Sequence, residues 1–214
     1  ATLTMREPPL NVSTHIHSLK RIFRDIRNVF RNDRNLRISI LLSAVTGTST
    51  LTFAWLVQPF FKAVDLPVEL FGIFWTALNL TTGVTSAYAF RMEGRVKRKY
   101  EVILVVLLLA SGYFLSGLSI VREGLIFLFL FYAVRGFATP VFKNYINQYT
   151  QSEVRATILS VRNFIIRITF AVIGPLLGWM TDHVNLKTAF LLAGGIYLSA
   201  ALFIIIPWIS RPKR

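Results

Sequence analysis

The chain has 214 residues, of which 54% are hydrophobic and 16% charged, where an ordinary soluble domain carries about 25% charged residues. It contains no cysteine, which excludes disulfides, thiolate metal sites and cysteine nucleophiles. Lys and Arg number 24 against 10 Asp and Glu, a net charge of +14, but the basic residues fall mainly in short connectors and form no patch interleaved with exposed aromatics, which argues against a nucleic-acid partner.

Residues 1–37 read as a cytoplasmic linker. The opening, Ala1 to Pro9, holds no long apolar core, so no cleavable signal sequence is expected and membrane insertion falls to the later segments. Between His15 and Asp33, Ile16, Leu19, Ile22, Phe23, Ile26, Val29 and Phe30 recur at steps of three and four, with Lys20, Arg21, Arg24, Arg27 and Arg31 between them. That pattern predicts an amphipathic helix lying in the membrane interface against anionic headgroups. The alternative is a soluble connector helix.

Residues 38–208 read as a transmembrane bundle. The apolar residues gather into blocks of about 20, the length that spans a bilayer core of about 30 Å: Ile38 to Val57, Leu70 to Phe90, Val102 to Val121, Leu125 to Ile146, Ala156 to Met180 and Thr188 to Trp208. The expected fold is all-α, a polytopic six-helix bundle preceded by the interfacial helix and followed by a basic tail, 209–214. The third and fourth blocks are joined by about three residues, Arg122 to Gly124, which forces them antiparallel. With up-and-down threading, seventeen Lys and Arg fall on the side of the termini and three, Lys62, Arg122 and Lys187, on the other. The positive-inside rule then places both termini in the cytoplasm.

Arg155-Ala156-Thr157-Ile158-Leu159-Ser160, then Arg167, Gly174-Pro175-Leu176-Leu177-Gly178-Trp179 and Asp182, resembles the tenth-to-eleventh helix region of bacterial major facilitator superfamily transporters. Arg135-Gly136 with Pro140 fits the same pattern. Arg6-Glu7-Pro8-Pro9 looks like the exit from the sixth helix of such proteins, and the basic amphipathic segment like their central linker. The resemblance covers essentially the whole chain and implies helices seven to twelve of twelve, in the inner (plasma) membrane, partnered by an N-terminal six-helix half. It implies a secondary transporter moving a small solute by alternating access, with proton-coupled efflux as the expected activity; the alternative is a non-transporting fragment or assembly partner. The loop after the family's eighth helix is echoed in Arg91 to Arg98, which keeps Gly94-Arg95 as gating-loop candidates, but Arg91 stands where the family has an Asp. A gating contact needing that acid is therefore not carried over.

Ionisable residues inside a span cost about 2.5–3.5 kcal/mol at the helix centre and mark functional sites. Four fall there, all basic: Arg135, Lys143, Arg162 and Arg167. At 1.5 Å per residue, Arg135 and Arg167 sit roughly 16–18 Å deep, whereas Lys143 and Arg162 lie nearer the surface, within snorkelling reach of headgroups. With every acid in a connector or at a helix end, Arg135 and Arg167 need a counter-charge from a substrate, a lipid or a second bundle. The family's central cavity is lined by what would be the first and fourth spans here, which makes Arg135 the leading substrate-binding candidate.

The first span also carries Thr46, Thr48, Ser49, Thr50 and Thr52, with Gln58 toward its outer end. Thr48, Thr52 and Gln58 are substrate-binding candidates, although hydroxyls that bond their own helix carbonyls serve equally well in a packing seam. Asn79 in the second span is the preferred uncharged site residue, with helix-to-helix bonding as the alternative. No enzyme, cofactor or metal centre is expected. His15 and His17 are two apart, His183 lies across the membrane, and there is no Gly-rich phosphate loop or buried base for a nucleophile.

Overall fold

The computed structural model describes residues 33–92, 97–150 and 152–210, and these are helical, with no strand among them. The helices are α1 (Arg34–Ala63), α2 (Val68–Met92), α3 (Arg98–Leu118), α4 (Leu125–Gln148), α5 (Ser152–His183) and α6 (Leu186–Ile209), with a 3-10 turn at Arg122–Gly124 between α3 and α4. The amphipathic segment before Asp33 and the Gly94-Arg95 pair lie outside the described residues.

The helices outrun the apolar blocks because their caps lie outside them. Asp33 caps α1 by accepting from the Leu36 N–H at 3.0 Å, which draws Arg34 to Arg37 out of the expected linker and into the first helix. Asn185 does the same for α6, accepting from the Thr188 N–H at 2.7 Å. Between α1 and α2 the chain turns through Asp65, whose φ of 50° is left-handed. Asp tolerates that region better than most residues, and Pro67 follows.

Five of the six helices are long and apolar enough to cross a membrane, so this is a multi-pass membrane protein. The exception is α2, which the sequence counts as a sixth span. It is 25 residues long, about 37 Å at helical rise, but Gly72, Thr76, Asn79, Thr81, Thr82, Gly83, Thr85 and Ser86 dilute its apolar character.

Packing arranges the six helices in two layers. In front, α2 packs on α4, α4 on α1 and α1 on α5; behind, α3 pairs with α6, with α3 against α4 and α6 against α1 and α5. Phe53 of α1 ties the layers together. Its ring stacks on Phe131 of α4 with centroids 3.6 Å apart and planes 4° apart, and meets Tyr113 of α3 and Phe190 of α6 edge-on at 5.1 and 5.5 Å. In a bilayer, where lipid is as apolar as the core, such packing rather than exclusion of water holds helices together. At Gly136 the approach of α2 and α4 is closest: a Cβ there would collide with the Thr85 hydroxyl and the Thr82 backbone. The Thr82 hydroxyl donates across this seam to the Tyr132 carbonyl at 3.2 Å.

Candidate functional site

The front layer is covered from behind and open in front. Because α1 is flanked by α4 and α5 and backed by α6, its exposed residues can only face forward. In its outer half Trp55, Gln58 and Lys62 are exposed and share one stripe at helical spacing. Gln58 thus lies on the open face. Thr48 and Thr52, deeper along the helix, are buried in the bundle, each only 1% exposed. The Thr48 hydroxyl donates to the Ala44 carbonyl at 2.9 Å, and Thr52 shares a hydrogen bond of 2.5 Å with the Tyr197 hydroxyl on α6. Alongside, the Tyr113 hydroxyl donates to the Ser49 carbonyl at 2.5 Å. The hydroxyl-rich stretch of α1 is therefore sewn to α3 and α6.

On α4, Arg135 and Thr139 are half-buried and Lys143 is exposed, and the three follow one another at four-residue steps between the α1 and α2 contacts. The Arg135 guanidinium lies over the Tyr132 ring, 5.3 Å from its centroid, a cation–π contact that lets a cation sit at this depth without a carboxylate. Tyr132 meets Trp75 of α2 edge-on at 6.4 Å. Its hydroxyl is buried and has no hydrogen-bond partner among the described residues. Tyr132 is not among the candidates that the sequence singles out. The signal available was an aromatic three residues before a midplane arginine, a spacing that puts both on one helix face.

Asn79 is exposed and donates its amide to the Trp75 carbonyl of its own helix at 2.8 Å, so it does not bind another helix of this bundle. On α5 two exposed stripes run side by side. Phe164, Ile168, Val172, Leu176 and Trp179 form an apolar one; Ser160, Asn163, Arg167, Ala171 and Gly178 form one of small and polar residues. Arg167 stands in the second. It and Arg135 belong to helices that barely touch.

One expectation about charge is corrected. Arg162 does not snorkel: it is 7% exposed and turned into the α1–α5 seam. Its Nε donates to the Ser43 hydroxyl at 2.6 Å and its Nη1 to the Asn163 side-chain oxygen at 2.9 Å. Room for it comes from Gly47, where a Cβ would lie 3.3 Å from the guanidinium. The acids lie in connectors or at helix ends as expected, but one of them is buried. Helix α3 begins at Arg98, several residues before its apolar block, and Glu101 in its first turn is 8% exposed, the one buried carboxylate among the described residues.

No family model, curated protein or solved structure matches the chain. What the chain does is therefore argued from its own geometry.

Proposed function

We propose that the chain is the C-terminal six-helix half of a secondary transporter of the major facilitator type, moving a small solute by alternating access in a plasma membrane, with proton-coupled efflux as its activity. The observation that carries this reading is the open front of the α2–α4–α1–α5 layer. Gln58, Asn79, Arg135 and Arg167 are exposed or half-exposed on these four helices, and polar groups left facing hydrocarbon are costly. A second bundle closing over that face removes the cost and encloses a polar pathway. The side-by-side packing of α1 and α4 supports the same reading, since the first and fourth spans are those expected to line the cavity.

Arg135 is then the anchor for the solute, with Gln58 on α1 nearer the outer mouth of the same open face. The test is reconstitution of the chain in liposomes, alone and with a complementary N-terminal half, followed by solute flux under an imposed pH gradient. Flux only when both halves are present supports the proposal. Flux in neither case leaves an assembly partner without transport.

A further inference from the structure

We infer that the seam between α1, α3 and α6 holds an ordered water molecule, bound by the Thr46 and Ser49 hydroxyls. Burying a hydroxyl without a partner is costly, and α1 mostly avoids that cost. The Ser39, Thr48 and Thr50 hydroxyls donate to the carbonyls of Asn35, Ala44 and Gly47 at 2.6, 2.9 and 2.9 Å. Ser43 accepts from Arg162, and Thr52 is paired with Tyr197. Thr46 and Ser49 differ. They are 5% and 1% exposed, and neither hydroxyl has a hydrogen-bond partner among the described residues.

Three residues apart, the two lie on one face of α1, and that face borders a cavity. Its other walls include Leu109 and Tyr113 of α3 and Tyr197 and Ala201 of α6, with the centroids of the two tyrosine rings 5.8 Å apart. The room open to the centre of a water molecule is about 10 Å³, against the ~10–15 Å³ that one water needs. Nothing much larger fits. The lining holds no carboxylate, so nothing there favours a cation over water.

A buried water makes about three hydrogen bonds, and the seam can supply them. Thr46 and Ser49 each offer a proton and lone pairs. The Tyr113 hydroxyl spends its proton on the Ser49 carbonyl at 2.5 Å and keeps its lone pairs. Tyr197 and Thr52 share one bond between two hydroxyls, which leaves one proton over. Genuinely empty cavities in proteins are apolar, and this one has hydroxyls on its wall. Because α1 touches α3 only lightly, the water joins the Tyr113 bond in tying α1 to the α3–α6 pair. The site belongs to this bundle alone and does not rest on the transporter reading.

X-ray radiolysis of the full chain in lipid nanodiscs, read by mass spectrometry, tests the inference, because a trapped water yields hydroxyl radicals on the spot and oxidises the rings around it however deeply they are buried. The expected result, corrected for ring reactivity, is oxidation of Tyr113 and Tyr197 severalfold faster than of Phe60 and Phe142, which are also buried and do not line the cavity. The Thr46→Val/Ser49→Ala double variant should bring both tyrosines down to the rate of those rings. Thr48→Val, which removes a hydroxyl outside the cavity, should not. Stability supplies an independent sign: with water bound, Ser49→Ala removes one of its partners and lowers the unfolding midpoint in denaturing detergent, whereas in a dry cavity it removes a stranded hydroxyl and raises the midpoint. Wild-type tyrosines oxidised no faster than Phe60 and Phe142 overturn the inference without any variant, and so does a Ser49→Ala protein more stable than the wild type.

Discussion

Arg162 donates from Nε to the Ser43 hydroxyl, 2.6 Å away across the seam between α1 and α5. No carboxylate accompanies the pair, so the fold holds a buried cation on neutral acceptors alone. Burying such a charge is expensive, and replacing it by an apolar side chain of similar length is often neutral or stabilising, whereas removing only its partner leaves the charge stranded. Ser43→Ala should therefore cost about 1–3 kcal/mol, and Arg162→Met should lie within about 1 kcal/mol of the wild type or above it. Unfolding in mixed micelles by titration with a denaturing detergent measures both. The reverse order would mean that the guanidinium meets an anion in the membrane.

Thr52 and Gln58 are six residues apart on one helix and are predicted to behave oppositely. Thr52→Val breaks the buried bond to Tyr197 and should lower stability by about 0.6 kcal/mol, at most about 1.7, without changing solute affinity. Gln58→Ala removes an exposed group, should leave stability unchanged, and should weaken solute binding. Thermal denaturation and equilibrium binding on the assembled protein separate the two effects.

Glycines in the bundle divide in the same manner. Gly136→Ala drives a methyl into Thr82 and Thr85 and should cost about 1–3 kcal/mol, the usual penalty for overpacking. Gly178→Ala meets nothing within 4 Å and should be neutral or slightly stabilising in the isolated chain. If Gly178 lies against a second bundle, the same substitution should weaken association with the N-terminal half, which co-purification measures.

Much of this architecture is legible in the sequence, for reasons that can be named. Apolar blocks of bilayer length fix the helices, and the brevity of the Arg122–Gly124 connector fixes the antiparallel order of α3 and α4. Depth alone misplaces Arg162: counting residues from the helix end says how far in a side chain starts and nothing of its direction. At 100° per residue Arg162 lines up with Ile158 and Ile166, both buried, and that periodicity was available. The same turn per residue puts Thr52 about 120° from Gln58 but leaves Thr48 within about 20° of Trp55, so the burial of Thr48 comes from its depth in the bundle and not from its angle. Glu101 is different. Its burial depends on Tyr145, forty-four residues away on another helix, and no local pattern announces it.

Charge at Arg135 should set solute preference. With no carboxylate against its guanidinium among the described residues and the Tyr132 ring beside it, Arg135→Gln should reduce transport of an anionic solute at least tenfold, the equivalent of about 1.4 kcal/mol, and a neutral one far less. Counterflow assays with paired solutes differing in charge are the check. Equal losses for both would make Arg135 a structural residue.

The account depends above all on the front of the α2–α4–α1–α5 layer facing a watery pathway instead of lipid. In the protein reassembled with an N-terminal half, single cysteines at Arg135 and at Ile168 lie at comparable depth, the first on that front and the second on the apolar stripe of α5. A membrane-impermeant maleimide should modify Arg135→Cys and leave Ile168→Cys unreacted. Equal protection of both positions would contradict the account.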